Sequence, residues 1–158
     1  MKPTLYILIG VPGSGKSTWA NMFCDHLHYV SRDEIRFNLV NENEDYFSHE
    51  KEVFSKFVGT ITQTLVDGFS VVADATHINM TSRRKLTYAI DNLFKDYNIV
   101  YVIFDTPYEI CFARNNMREG RARVPEEVLK NMYNSFRAPR DDEDSRVIGS
   151  ITIKGEFM

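Results

Sequence analysis

The sequence has little of what marks a secreted or membrane-bound chain. Only two cysteines, Cys24 and Cys111, occur in 158 residues. They are far apart and form no metal-ligand spacing, so buried reduced thiols are expected, and with them a reducing cytoplasm, that of a bacterial host if the gene is phage-encoded. No apolar run approaches membrane-spanning length, and the apolar start lacks the h-region and small-residue cleavage site of a signal peptide, so no membrane partner is expected. An excess of basic charge is also missing. Nineteen Lys and Arg against 22 Asp and Glu give a formal charge of -3, which excludes wholesale coating of nucleic acid and leaves any polynucleotide contact to local patches. There is no internal repeat. With 43% hydrophobic and 26% charged residues, the 158-residue chain is expected to form one globular domain around one core, and a homo-oligomer of it is compatible with the sequence.

What is present is a phosphate loop. Gly10 to Ser17 reads G-V-P-G-S-G-K-S and fits G-x-x-x-x-G-K-[ST] in full. Glycines let successive backbone N–H groups turn inward around a polyphosphate, the lysine reaches the β- and γ-phosphates, and the hydroxyl takes a place on Mg²⁺. The candidate nucleotide-binding residues are therefore Gly10, Pro12, Gly13, Ser14, Gly15, Lys16, Ser17 and Thr18, with Ser17 as the metal ligand and ATP with Mg²⁺ as the implied ligands. The flanks agree with the motif. Leu5 to Ile9 is a continuous apolar run of the kind buried on both faces of a sheet, and Trp19, Ala20, Phe23 and Leu27 follow at helical spacing. A polyphosphate would thus face a helix N-terminus.

Further along, His28 to Val30 reads as a short strand, and Ser31 with Glu34 as a capping box opening a helix. Asp33 then sits in the first turn. An acid there complements the helix dipole, and it also projects from the carboxyl end of a strand into the crevice where such sheets bind ligands. Arg36 shares its face at i+3. Residues 41–47 are polar and acidic and read as a solvated loop. A helix runs from Ser48 to Gly68 with Val53, Phe57, Ile61 and Leu65 inward, and Phe69 to Ala73 forms a strand closed by Asp74, in D-A-T-H-I-N. Asp74 is placed to steer either the Mg²⁺ shell or the acceptor. His77 reads as a turn residue.

A helix over 80–95 buries Leu86, Ile90 and Leu93 and carries Arg83, Arg84 and Lys85 in its first turns. Ile99 to Phe104 is the next strand, after which Thr106 is expected to cap a helix with Pro107 at its first position. Arg114, Arg118, Arg121 and Arg123 follow, nearly all one sign and broken by Gly120, which reads as a lid over 114–124. An arginine fork there can meet a transferring phosphoryl group. Helix 125–136, an acidic D-D-E-D segment and an edge strand near 146–154 complete the chain. The fold expected is an α/β three-layer sandwich with a mostly parallel sheet, of the P-loop kinase type, strands 69–73 and 28–30 on one side of the phosphate-loop strand and 99–104 on the other.

On these motifs the chain resembles the 5′-kinase domain of the bacteriophage polynucleotide kinase family, from Leu5 to about Phe136. G-V-P-G-S-G-K-S-T-W-A is similar to that family's phosphate loop, S-R-D-E-I-R to its acceptor segment, and F-D-T-P, R-N-N-M-R and V-P-E-E-V-L-K-N-M-Y to its last strand, lid and lid-exit helix. The resemblance implies that Lys16 and Ser17 hold ATP and Mg²⁺, that Asp33 is the general base, that Arg36 holds the acceptor strand and that Arg118 reaches the β- and γ-phosphates. The partner implied is the 5′-hydroxyl end of DNA or RNA, as in nucleic acid repair. Three departures stand out. Ala75 separates Asp74 from Thr76 where the family has a contiguous pair, so their two substrate contacts are not apportioned. One extra lid residue near Gly120 leaves the phosphate-reaching arginine between Arg118 and Arg121. D-D-E-D-S has no preceding apolar strand to make the 3′-phosphatase motif, so 3′-end healing is not expected.

The rival enzyme is a small-molecule kinase acting on a nucleoside, sugar or similar alcohol. A GTPase is disfavoured because no N-K-x-D guanine signature occurs, and an AAA-type motor would need more chain for its helical lid domain. A non-catalytic nucleotide switch would keep the loop without needing Asp33 and the arginine run.

Overall fold

The computed structural model describes all 158 residues. Five strands, β1 (Thr4–Ile9), β2 (His28–Ser31), β3 (Val71–Asp74), β4 (Asn98–Asp105) and β5 (Val147–Lys154), form one sheet in the order β2-β3-β1-β4-β5, every neighbouring pair parallel. Six α-helices connect them: α1 (Lys16–Phe23), α2 (Arg32–Leu39), α3 (Glu50–Val66), α4 (Met80–Asp91), α5 (Tyr108–Asn116) and α6 (Glu126–Ser135). The order agrees with the sequence expectation, β3 and β2 on one side of β1 and β4 on the other.

The continuous apolar runs have a physical reason in the two-residue period of a strand. Leu5, Ile7 and Ile9 of β1 join Val71 and Ala73 of β3 and pack against Phe57, Ile61 and Leu65 of α3 and Leu86 and Ile90 of α4. Leu8 and Val72 point the other way, toward Ala20 and Cys24 beside α1, with Val102 and Phe104 of β4. A sheet buried on both faces cannot alternate polar residues. A third, smaller cluster of Val11, Cys111 and Leu129 ties α5 and α6 to the phosphate loop. No helix is long and apolar enough to cross a membrane.

Some boundaries differ from the sequence reading. Helix α1 ends at Phe23, which is exposed, and α4 ends at Asp91, so Leu93 lies on the surface instead of in the core. Strand β3 starts at Val71 and leaves Phe69 exposed, its ring tilted against that of His28 with centroids 5.1 Å apart.

The acidic segment near the C-terminus is part of the framework. Glu143 takes a bidentate pair from Arg83 at 2.9 Å to each oxygen and a hydrogen bond from the Tyr101 hydroxyl at 3.0 Å. Arg83 also donates to the carbonyls of His77 and Arg137, and its side chain is 3% exposed. The basic group at the start of α4 is therefore split. Arg83 is a buried staple, while Arg84 and Lys85 reach the surface. Removing one partner of a buried pair leaves the other charge stranded, at a cost of about 3–5 kcal/mol. Arg83→Met should lose that much in urea unfolding, and Arg83→Met with Glu143→Met should regain most of it. A single variant within about 0.5 kcal/mol of wild type, the range of ordinary surface changes, would show that the pair is solvated.

Candidate active site

The phosphate loop leaves the carboxyl end of β1 and is held from three sides. The Gly10 N–H donates to the Thr76 carbonyl at 3.0 Å, the Thr106 hydroxyl donates to the Ser14 carbonyl at 2.8 Å, and the Arg114 guanidinium donates to the Gly13 carbonyl at 3.1 Å. Thr106 was expected as a helix cap. Pro107 occupies the cap position of α5 with no side-chain cap, and Thr106 is buried against the loop instead. Gly15 opens α1 at φ 104°, a left-handed conformation that side chains rarely adopt, and a Cβ on Gly10 would lie 2.4 Å from Ser14 Oγ.

Lys16 is buried and donates from Nζ to the carbonyls of Gly10 and Val11 at 2.8 and 2.9 Å. Burial pushes its ammonium below the ordinary lysine value, the carboxylates of Asp74 and Asp33 pull it back up, and the Arg118 charge pushes it down. Ser17 Oγ donates to Asp74 Oδ2 at 3.0 Å, and the Tyr29 hydroxyl from β2 donates to the same oxygen. Burial and the Asp74 charge push the Tyr29 phenol up, so it remains a donor. No group of three or more His, Cys, Asp or Glu side chains is placed to hold a metal. One hydroxyl and one carboxylate suit Mg²⁺, which keeps waters and substrate phosphates in its shell.

On the opposite wall Ser31 caps α2 through the Glu34 N–H at 3.2 Å, and Asp33 projects from the first turn with its side chain 77% exposed. Arg36 is buried and donates from Nη1 to Asp33 Oδ1. Its Nε and Nη2 form a fork on Glu50 at 2.7 Å each. Burial alone would raise the Glu50 carboxyl, but the Arg36 hydrogen bonds and charge outweigh it and hold it below the usual range. Tyr46 and Phe47, in the segment read as a solvated loop, stack on the Arg36 guanidinium.

The four lid arginines have separate employments. Arg114 holds Gly13. Arg123 donates to the carbonyls of Arg118 and Asn116 within the lid itself. Arg121 caps the carboxyl end of α2, donating to the Phe37, Val40 and Asn41 carbonyls and lying 4.5 Å over the Phe37 ring. The Arg118 guanidinium has no hydrogen bond or ion pair in the fold. His77, the turn residue after β3, has φ 44° and is buried, with Nδ1 2.8 Å from the Leu8 carbonyl; burial lowers its pKa to about 4, so it stays neutral.

Apart from the loop residues Gly10 and Ser14, every site residue proposed from the sequence lines one cleft of about 1020 Å³. Residues 5–139 of the chain match a protein family described as an AAA domain. The chain belongs to this family. Its fold is of the P-loop kinase type. It is 32% identical over 144 residues to the L-seryl-tRNA(Sec) kinase of Methanococcus maripaludis, covering 85% of this chain and 53% of that protein. Among solved structures, a chain of the Pnkp1/Rnl/Hen1 RNA repair complex is 25% identical with a TM-score of 0.72, over 85% of this chain and 44% of the other. A sugar kinase from Janibacter sp. HTCC2649 shares the fold at 17% identity and TM-score 0.67, over 99% of this chain and 87% of the other. The chain thus spans about half the length of the seryl-tRNA(Sec) kinase and less than half of the RNA repair chain.

Sequence reasoning missed Glu50, Tyr29 and the Tyr46–Phe47 pair. Two adjacent aromatics inside an acidic loop were the available signal for the last. Nothing local marks Glu50, which meets Arg36 across 14 residues. The arginine geometry yields a test. Arg118→Ala should lower kcat by on the order of 10³ with thermal stability intact, whereas Arg121→Ala, which frees only the end of α2, should cost less than about tenfold. The reverse order of effects would contradict the assignment of the uncommitted arginine to phosphate.

Proposed function

We propose that the chain transfers the γ-phosphoryl group of ATP to the 5′-hydroxyl end of a polynucleotide. The observation that carries this reading is the pairing, in one cleft, of a phosphate end built from Lys16, Ser17 and Asp74 with an Arg36-held carboxylate, Asp33. RNA stands in the names of both the seryl-tRNA(Sec) kinase and the RNA repair complex. The acceptor wall, with Phe37, Tyr46, Phe47 and Arg121 at its rim, offers stacking surface that suits a nucleobase better than a bare sugar. Both cysteines are free and buried, in keeping with a reducing cytoplasm.

Phosphoryl transfer asks a protein mainly for position and charge. Lys16 turns its ammonium from the Gly10 and Val11 carbonyls to the phosphates, and the N-terminus of α1 adds its dipole. Ser17 and Asp74 would hold Mg²⁺, which spreads the charge developing on the β- and γ-oxygens. Arg118 meets the equatorial oxygens. Asp33 accepts the proton of the attacking hydroxyl, and Glu50 through Arg36 fixes the carboxylate that does so. A second reading, transfer to the hydroxyl of an aminoacyl group on tRNA, is favoured by the 32% identity to the seryl-tRNA(Sec) kinase.

The test offers labelled ATP with 5′-hydroxyl oligonucleotides, seryl-tRNA, nucleosides and sugars. Oligonucleotides should be labelled at the 5′ end, and Asp33→Asn should lower kcat by about 10² to 10⁴ with ATP affinity nearly intact. Label passing to a free sugar or nucleoside with oligonucleotides untouched would replace the reading with a small-molecule kinase, and label on seryl-tRNA alone would promote the second reading.

A further inference from the structure

Of the basic run Arg83, Arg84 and Lys85, the framework uses Arg83 and the cleft takes Lys85, which leaves Arg84 without a role. At 100° per residue, Ser82, Lys85 and Leu86 stand on one side of α4 and line the cleft, whereas Arg84, Thr87, Tyr88 and Asp91 follow at i, i+3, i+4 and i+7 along the opposite side. That second stripe lines a separate cavity of about 410 Å³, walled across from α4 by residues 143–146 and within the size range of small-ligand sites. The fold holds its ions still. Arg83 occupies both oxygens of Glu143, and Arg146 spans Asp91 at 2.6 and 3.0 Å and Asp144 at 3.0 and 2.8 Å. Every carboxylate that faces the cavity is thereby paired. Arg84 and Lys95 also line it, and neither makes an ion pair or a side-chain hydrogen bond in the fold. Four cations thus face three carboxylates, in a chain whose net charge is -3. Arg84 lies in the second turn of α4 and Lys95 just beyond its end, with Tyr88 between them and 62% exposed.

We infer that this cavity behind α4 is a second binding site, and that its ligand is a small ring compound with an anionic group on either side, of the class of a nucleoside 3′,5′-bisphosphate. The ring lies on Tyr88, one phosphate meets Arg84 and the other meets Lys95, each through charge-assisted hydrogen bonds. A monophosphate satisfies only one of the two cations. An uncharged nucleoside satisfies neither. Arg83 runs between the two sites, its guanidinium holding Glu143 on the cavity side and the carbonyl of His77, a cleft residue, on the other. The cavity nevertheless uses none of the phosphate-loop or acceptor residues, so the inference holds whichever acceptor the cleft takes.

The experiment is a calorimetric titration with adenosine 3′,5′-bisphosphate, adenosine 5′-monophosphate and adenosine, with saturating Mg-ADP present to fill the phosphate loop. Wild type should bind the bisphosphate about 10- to 100-fold more tightly than the monophosphate, the scale of one charged hydrogen bond, and adenosine most weakly. Arg84 and Lys95 are exposed and unpaired, so Arg84→Met and Lys95→Met should fold, and each should bring the bisphosphate down to about the affinity of the monophosphate. Lys85→Met and Lys16→Met, which alter the cleft, should leave the bisphosphate affinity within about twofold of wild type, as distant and independent sites do. No heat of binding at millimolar bisphosphate, or an affinity that Arg84→Met and Lys95→Met leave unchanged, overturns the site. Loss of binding in Lys85→Met or Lys16→Met, with both cavity variants unaffected, places the ligand in the catalytic cleft and overturns it equally.

Discussion

A lysine ammonium buried beneath a tight loop of carbonyls is the constraint on which the rest of the molecule depends. Lys16 can sit at 2.8 and 2.9 Å from the Gly10 and Val11 oxygens only if the loop between β1 and α1 keeps its shape. The loop keeps it because neighbours in the sheet deliver tethers to it: Thr76 from beyond β3, Thr106 from the end of β4 and Arg114 from α5. A parallel sheet puts all these strand ends on one side. A buried cation with a lowered pKa is costly to hold, and the carboxylates of Asp74 and Asp33 that partly offset the cost stand on either side of the cleft.

The arginines divide the labour by what already occupies them. Arg83 is consumed by Glu143 and stabilises the framework, Arg114 and Arg123 hold backbone, Arg121 caps α2, and Arg36 is clamped between Glu50 and Asp33. Arg118 and Arg32 retain unspent donors. Both line the cleft, and the proposed function gives Arg118 to the nucleotide phosphates. In a chain of net charge -3, a cation left unpaired inside a cleft, as Arg118 is, is a specific signal where a general basic field is absent.

The phosphate loop, the strand order and the cleft-lining residues were legible because each rests on local rules: a fixed spacing, an apolar run, a capping residue. Lys16, Ser17, Asp33, Asp74 and Arg118 share the cleft that those rules implied. The partners of these residues were not legible, because they arise from contacts distant in the chain. Glu50 reaches Arg36 only when α3 packs on α2, Tyr29 reaches Asp74 across two strands, and Glu143 finds Arg83 over 60 residues. Charge alone could not separate Arg83 from Lys85 either; a helix turns 100° per residue, which places one in the framework and the other in the cleft. Thr106 is not the cap because Pro107 takes that position at α5, and the Thr106 hydroxyl donates to the Ser14 carbonyl instead.

The central claim is that the Lys16 cradle is a nucleotide phosphate site in a working phosphotransferase. The most direct measurement is Mg-ATP binding and phosphoryl transfer in Lys16→Met beside wild type, with the melting temperature recorded without nucleotide. The account predicts that transfer falls by about 10³-fold or more, the scale of losing a charge that stabilises the transferring phosphoryl group, while the nucleotide-free fold survives. Transfer near the wild-type rate in a folded Lys16→Met protein would contradict it.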